Sequence, residues 1–518
     1  MKRFALPSPL VLIALLLVMG GSILHFERGF TNPTRALHAF GADDAYVSFR
    51  YARHLQAGDG LVYNPGDPER VEGYTNLLYT LAIAVGFFAV PPEQIYIFAT
   101  GFNIVCTAIS VLLIFQAVNW RAPGYGGLAA LIFAACPLVW LWTASGMETA
   151  LVLMLQIGFI AALDRSVEQA GDRPLWMTAA LLIIARADGF LLPLVGVVFL
   201  LLRGKTRSGL SLLLVTGLTL AALTIWRMAY YGDPLPNTFY AKVAGDTISR
   251  VAYGIATLAT IIPRDGLGLA LIVLIAGLIG WLARLIRQPG QAARTIPFEV
   301  LFGVLWLGYW LYVGGDVYLD RFLLVLVPLA ILLAVRTMSH QRRLGLALLV
   351  CLTAVQFSAY LIDVRFDYRA EKYDAWVTLG QFLGSRSPDT LLAVDAAGKI
   401  PYFSDLATID MLGWNDRTIA RTPPSANVTG HARYNPVYVL SRQPDLIAAW
   451  IDSDLNVAYG LTRERYETAG YRVRYLVYVD VPLPEGSDAI IDVAGWDEAA
   501  LRARIEAHYN YAVLEHSF

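Results

Sequence analysis

The feature that most restricts what this chain can fold into is a long succession of apolar stretches: residues 8–25, 95–118, 125–143, 147–163, 175–186, 189–202, 208–230, 267–286, 298–313, 321–335 and 343–361. A helix that crosses a bilayer needs roughly 20 apolar residues, with a range of about 17 to 25. Several of these stretches are shorter and require irregular ends or tilted neighbours. Of 518 residues, 57% are hydrophobic and only 16% charged, far from a soluble average. The expectation is a polytopic α-helical membrane protein. The start Met1-Lys-Arg3 followed by residues 9–24 reads as an uncleaved first transmembrane helix, because no small-residue cleavage pattern follows it.

Leu77 to Val90, closed by Pro91-Pro92, holds about 14 apolar residues and fits a re-entrant or juxtamembrane helix better than a crossing. Its status sets the parity of every later loop. If residues 76–118 cross once, the basic loops at Lys2/Arg3, Arg121, Arg165/Arg173, Arg203/Lys205/Arg207, Arg284/Arg287/Arg294 and Arg336/Arg342/Arg343 share the cytoplasmic side, as the positive-inside rule requires. The same choice puts Asp43/Asp44, Ser145 to Glu148, Arg186/Asp188, Asp233 to Lys242, Asp316 to Arg321 and the C-terminal region on the other side, with about eleven crossings.

After Tyr360 the composition becomes that of a soluble domain. Residues 1–361 thus form the transmembrane unit, with a first external loop over 26–76, and 362–518 a small extracytoplasmic α/β domain. Thr390 to Asp395 reads as a buried strand entering an Ala-Ala-Gly turn, and Tyr471 to Val481 as a half-exposed strand. Arg417 to Arg421, Asp445 to Ile451 and Asp497 to Ala507 read as helices. Asn427-Val-Thr429 matches a glycosylation sequon, a short pattern that recurs by chance. Cys106, Cys136 and Cys351 lie in apolar spans and read as core residues. His25, His38, His340, His431, His508 and His516 lack zinc spacing. Nothing marks a nucleic-acid surface.

Charge is scarce, so Asp43-Asp44 at the head of an amphipathic helix Ala45 to Ala57, closed by Gly58, stands out. One aspartate can cap the helix; the other is left at its positive end, where ionisation is favoured. Arg50 and Arg53 share a face, with Tyr46 one turn before Arg50, a wall suited to a phosphate. Val47, Tyr51, Ala52 and Leu55 are free to lie on lipid or neighbouring helices. Further polar residues recur at the same ends of other spans: Glu72, Tyr74 and Asn76; Glu148; Asn237, Tyr240 and Lys242; Asp316, Asp320 and Arg321. Ionisable groups near a membrane core mark substrate paths. Arg186 and Asp188 read most simply as a pair between two short spans. Gly314-Gly315 before Asp316 permits close backbone approach to a ligand.

A carboxylate beside cations and apolar helices suits sugar transfer from a lipid-linked phosphosugar. The acceptor hydroxyl needs a general base; the anomeric centre becomes oxocarbenium-like and gains from a nearby carboxylate; the leaving phosphate needs Arg, Lys or a divalent cation. A transporter or flippase of lipid-linked sugars, and a non-enzymatic envelope-assembly protein, are the rival classes. The first predicts charges at mid-bilayer rather than at one face.

Three blocks carry a family resemblance: Asp43 to Arg53, Gly60-Leu-Val-Tyr-Asn-Pro65, and Val71-Glu-Gly-Tyr-Thr-Asn-Leu77. They resemble the first external loop of the GT-C glycosyltransferases related to the mycobacterial terminal β-(1→2)-arabinofuranosyltransferase. Ser145 to Leu151, Pro236 to Lys242, Gly314 to Asp316 with Arg321-Phe-Leu-Leu, Asp395 to Pro401 and Ile409 to Gly413 are similar to later blocks of that group. The resemblance implies a GT-C fold, a decaprenyl-phosphoryl-arabinofuranose or similar donor, inverting transfer, and a catalytic aspartate in the Asp43-Asp44 pair. It implies an inner-membrane enzyme working on an extracytoplasmic glycan or other cell-envelope acceptor. On this reading Asp43 or Asp44 is the base, Asp44 preferred, and the other orients the site or binds a cation. Arg50, Arg53, Lys242 and Arg321 are candidates for the donor phosphate, and Glu72, Tyr74, Asn76, Glu148, Asn237, Tyr240 and Asp316 for sugar or acceptor. No cofactor is required by the sequence; a divalent cation on the aspartate pair is compatible with it.

Overall fold

The structure, a computed structural model, describes all residues except 1–8, 29, 32–36, 39–40, 169–170, 243–246, 265–266, 289–292, 317, 319, 339–340, 363–372, 426–429, 481–482 and 518. The sequon Asn427 to Thr429 and His340 lie outside the described residues. The chain opens with α1 (Pro9–Arg28), a two-residue strand pair β1 (Phe30–Thr31) and β2 (Leu37–His38), α2 (Asp43–Ala57), α3 (Leu77–Gly86) and α4 (Ile95–Arg121). It continues through α5 (Gly126–Ala134), α6 (Pro137–Thr143), α7 (Thr149–Val167), α8 (Arg173–Ala185), α9 (Leu191–Leu202), α10 (Thr206–Tyr231), the short α11 (Asn237–Lys242), α12 (Thr247–Arg264) and α13 (Leu267–Arg287). The helices Phe298–Val313, Leu326–Met338 and Arg342–Ile362 complete the bundle.

Six of the described helices are long and apolar enough to cross a membrane; α5 and α6, bent by 63° at the break between them, form a broken span or a re-entrant loop. The bend falls at Pro137, which cannot donate a helical hydrogen bond. α8, α9 and Phe298–Val313, read from sequence as short spans, are apolar helices of 12 to 16 residues. α3 is ten residues long, which at 1.5 Å per residue is about half a bilayer core. Its length is compatible with the re-entrant or juxtamembrane helix read from sequence. α12 is an addition: an amphipathic helix packed along Phe298–Val313, not evident from hydropathy alone.

Charges separate to opposite ends of the bundle. At one end Arg121 binds Asp164 (2.7 Å) and Glu299 (2.5 Å), Arg336 adds a contact to Glu299 (3.5 Å), and Arg203 donates to the Ile296 carbonyl. The acidic and aromatic loops of the other set meet at the opposite end, against the C-terminal domain.

That domain is built on a six-stranded sheet of β3 (Leu391–Val394), β4 (Ala407–Asp410), β5 (Leu446–Trp450), β6 (Tyr471–Val477), β7 (Ile490–Asp492) and β8 (Tyr511–His516), in the order β4-β3-β5-β8-β6-β7. β4, β3 and β5 run parallel; β8, β6 and β7 continue antiparallel. The Asp445 to Ile451 segment is therefore a strand and not the helix its sequence predicts. Leu446-Ile-Ala-Ala lies in the sheet centre, buried on both faces, where a strand reads as a continuous apolar run without alternation. Helix Glu498–Glu506 forms with Asp497 as its cap, accepting from the Ala500 N–H at 2.8 Å.

The two units share a core. Val47 and Tyr51 of α2 and Tyr63 and Tyr74 of the first loop pack into the same cluster as Trp376, Leu392 and Val477. α2 is not a lipid-facing amphipathic helix: residues Ala45 to Ala52 are all buried, against the membrane bundle on one side and the C-terminal domain on the other. A helix buried all round sits inside a protein, whatever its polarity.

Candidate active site

α2 begins without a side-chain cap. Ala42 occupies that position, and its N–H is bonded to the Ser145 carbonyl at 2.9 Å. Neither aspartate serves as the cap expected from sequence. Consecutive helical residues point about 100° apart, and the two carboxylates diverge accordingly. Asp43 turns to the C-terminal domain and accepts the backbone N–H groups of Gly398 (3.2 Å) and Lys399 (2.8 Å). Gly398 is obligatory there: a Cβ on it would come within 2.0 Å of the Asp43 carbonyl oxygen. Asp44 turns into a cavity of about 330 Å³, with the Tyr318 hydroxyl donating to its Oδ1 at 3.4 Å.

Burial raises both carboxyls. Asp43 is pushed up to about 6, a rise moderated by the hydrogen bond and charge of Lys399. Asp44 is raised by burial, against the pull of Lys242 and Arg321. A carboxylate held above its ordinary range is a better base.

The cavity gathers Tyr74, Asn76, Glu148, Lys242, Asp316 and Arg321 with Asp44. Glu148 accepts from Asn76 (2.9 Å) and Arg186 (3.1 Å). It is held at the start of α7 by a turn whose carbonyls receive the hydroxyls of Tyr79 and Tyr96 and the amide of Asn103. Asp316 is brought in after Gly314 and Gly315, both at positive φ (87° and 82°), and grips Arg321 at 3.0 and 3.1 Å. Among the described residues the remaining terminal nitrogen of Arg321 meets only the Met147 sulfur, at 3.2 Å. Lys242 lies over the Trp414 ring at 4.2 Å, and no carboxylate among the described residues pairs with it. Burial lowers its pKa.

Other expected residues lie elsewhere. Arg50 is fully engaged by the carbonyls of Tyr63, Leu406 and Pro401 and by Asn64. Arg53 pairs with Asp405 at 2.7 Å, and Tyr46 packs on Tyr402 and Phe403. The Tyr46–Arg50–Arg53 face is thus a clamp on the C-terminal domain rather than a phosphate site: the helix face that carries it is turned to the Lys399–Ser404 helix. Asn237 holds the carbonyls of Gly413, Trp414 and Asp416. Tyr240 stacks under Arg421. Glu72 is taken by Arg227 (2.8 and 3.1 Å) behind the cavity wall.

Residues that sequence reasoning passed over also line the cavity. Arg186 and Asp188 pair at 2.7 and 2.8 Å as read, yet they face the site, with Tyr309 donating to Asp188. Arg227, an arginine inside the apolar α10, was visible as a membrane charge.

A second cavity of about 460 Å³ opens on the other side of α2. Asp395, Asp410 and Trp450, at the carboxyl ends of β3, β4 and β5, line it with Asp43. Asp44, Val47 and Trp414 line both cavities, and Asp44 is the one charged side chain common to the two among the described residues. Both Asp43 oxygens accept backbone N–H groups, so a cation shared by Asp43 and Asp44 would compete with these bonds. Among the described residues no group of three or more His, Cys, Asp or Glu could hold a metal.

The bundle, juxtamembrane α2 and α3, and appended α/β domain define the class of fold. It is the GT-C fold of membrane glycosyltransferases. The chain superposes on the Cupriavidus metallidurans ArnT bound to undecaprenyl phosphate with a TM-score of 0.53 at 11% identity, covering 97% of each chain. It matches the apo Archaeoglobus fulgidus oligosaccharyltransferase at a TM-score of 0.54 and 10% identity, over 94% of this chain and 74% of that one.

Curated homologues are two proteins named terminal β-(1→2)-arabinofuranosyltransferase. The Mycobacterium tuberculosis one is 28% identical over 328 residues, 57% of this chain and 51% of the relative. The Corynebacterium glutamicum one is 27% identical over 375 residues, 63% and 52% respectively. The chain spans about half the length of these relatives. Residues 363–511 match a domain of unknown function (DUF8728).

Proposed function

We propose that this protein is an inverting glycosyltransferase that moves a sugar, arabinofuranose in the first instance, from a polyprenyl phosphate to a hydroxyl of a cell-envelope glycan, with Asp44 as general base. The observation that carries the proposal is the position of Asp44, on the wall common to two cavities that differ in charge. The first has four cationic side chains and an apolar mouth that includes Leu235 and Phe239, exposed at 39% and 47%. That combination suits a lipid phosphate. The second lies in the soluble domain and suits a polar acceptor. The ArnT neighbour's bound undecaprenyl phosphate and the name of the curated relatives support the donor class and the sugar.

In the reaction the acceptor oxygen, reaching C1 past Asp44, loses its proton to the carboxylate as the new C–O bond forms. The C1–phosphate bond breaks on the opposite side, and its electron pair leaves with polyprenyl phosphate. Lys242 and the terminal nitrogen of Arg321 that Asp316 leaves unpaired, in contact only with the Met147 sulfur among the described residues, stabilise the charge that develops there. Burial serves both partners: it raises the basicity of Asp44 and strengthens the attraction of Lys242 for phosphate. One displacement inverts C1. The basic Arg121, Arg203 and Arg336 end, opposite the site, supports assigning this chemistry to the extracytoplasmic face of the inner membrane.

The test is transfer by the purified protein in nanodiscs, offered polyprenyl phosphates carrying different pentoses and hexoses. Glycosidic product with C1 inverted is expected. Movement of intact lipid-linked sugar between leaflets, with no new glycosidic bond for any donor, would overturn the reading.

A further inference from the structure

The second cavity is comparable in size to the donor chamber, and its construction differs. It sits at the carboxyl ends of three parallel strands, where open α/β sheets place their ligands. Asp395 immediately follows β3, Asp410 closes β4 and Trp450 closes β5. Those ends face α2, so the cavity's floor is the domain sheet and its far wall carries Asp43 and Asp44.

Three observations specify what it would hold. Asp395 is buried and accepts the Tyr511 hydroxyl at 2.6 Å through Oδ1, while its Oδ2 has no hydrogen-bond partner among the described residues. A buried carboxylate oxygen left without a donor is costly, and a hydroxyl entering the cavity removes that cost. Trp450 stands edge-on to Trp376, with ring centroids 5.6 Å apart and an interplanar angle of 85°, and is itself 38% exposed. Its ring offers an apolar surface with a fixed orientation, the kind that covers the C–H face of a sugar. The titratable lining is mostly acidic: five aspartates and two histidines, with no lysine or arginine among the described residues. An anion entering here meets five carboxylates against two histidines, whereas in the donor chamber next door Lys242, Arg186, Arg227 and Arg321 balance four carboxylates. Charge therefore sorts the two substrates, repelling the phosphate from one side as it is held on the other.

We propose that this cavity is the acceptor site and that it selects an uncharged sugar terminus, with a hydroxyl donated to Asp395 and a ring face laid on Trp450. The proposal rests on the glycosyltransferase reading and adds to it the acceptor's class: a neutral furanose or pyranose end, not a uronate- or phosphate-bearing one. Asp395 and Trp450 bind and position; they do not take the transferred proton.

The test uses the full chain in nanodiscs with neutral pentose- and hexose-terminated oligosaccharides, each paired with a counterpart bearing a terminal uronic acid. At saturating donor, Asp395→Asn and Trp450→Leu are expected to raise the acceptor KM at least tenfold while donor KM moves less than twofold. The wild type is expected to prefer neutral acceptors over their acidic counterparts at least tenfold in kcat/KM. Asp395→Asn retains the Tyr511 contact, and Trp450 is partly exposed, so the two variants do not share a folding defect. An unchanged acceptor KM in both, or equal use of the acidic counterparts, overturns the acceptor site and leaves the glycosyltransferase reading standing. If the wild type transfers no sugar at all, that reading fails, and calorimetric titration of the same oligosaccharides into wild type and Asp395→Asn still decides the site. Binding weakened at least tenfold by the variant upholds it; binding equal in the two proteins, or absent in both, overturns it.

Discussion

Two adjacent aspartates do different work because a helix turns them apart. Asp43 is a dock for two backbone N–H groups more than 350 residues away; Asp44 faces the chamber. Asp44→Asn keeps shape and removes the base, so kcat is expected to fall by about 10²- to 10⁴-fold with donor KM little changed, in a steady-state assay. Asp43→Asn keeps one acceptor oxygen but sets its NH2 against the other of the two N–H donors; about 1–3 kcal/mol of stability should go, read as a lower thermal midpoint. Because Asp44 must be ionised to accept a proton and burial raises its pKa, the acid limb of kcat/KM should lie above the ordinary carboxylate range and vanish in the residual activity of Asp44→Asn. Lys242→Met removes a chamber cation that pairs with no carboxylate among the described residues; donor KM is expected to rise about 10- to 100-fold. The importance of the aspartate pair was legible in the sequence, from charge scarcity and family resemblance together. Which of the two faces the chamber was not, since the partner of Asp43 lies in another domain and adjacency carries no orientation.

At the scale of elements, α2 is a strut between bundle and sheet. Arg50 ties it to three carbonyls, two of them in the Lys399–Leu406 segment, and Gly398 lets Asp43 come close. Gly398→Ala forces a Cβ into the Asp43 carbonyl, and overpacking of this kind costs about 1–3 kcal/mol. Differential scanning of the purified variant should show a lowered midpoint, and acceptor KM should suffer because the cavity wall moves. Helix existence was legible from hydropathy wherever a span was long. The strand at Leu446–Trp450 was not, because a short apolar run without alternation is compatible with either a buried strand or a helix; the sheet decides. The Arg50–Arg53 face was misread for a related reason. Cations sharing a helix face match phosphate and carbonyl equally well, and only the tertiary partner distinguishes them.

For the whole molecule, burial of carboxylates in the joint between domains sets a pH dependence of stability. Asp43 and Asp410 are raised to about 6 and Asp395 to about 7, in each case chiefly by burial. A carboxyl whose folded pKa exceeds its unfolded value favours folding when protonated. That contribution is complete below the unfolded value and is lost as pH rises through about 6 to 7. Denaturant titration should therefore find the joint more stable at pH 5 than at pH 8, with the difference reduced in Asp395→Asn. The broad architecture, one polar end of a helical bundle closed by a soluble domain, followed from span parity. The second cavity did not, because it forms between α2 and strand ends remote in sequence.

The account turns on Asp44 lying between a lipid phosphate and an acceptor hydroxyl. The most direct measurement is sugar transfer by purified wild-type and Asp44→Asn protein from one polyprenyl-phosphate donor, with the product's C1 configuration read by NMR. The account predicts an inverted product from the wild type and a rate at least about 10²-fold lower from Asp44→Asn at unchanged thermal midpoint. Transfer by Asp44→Asn at the wild-type rate would contradict it.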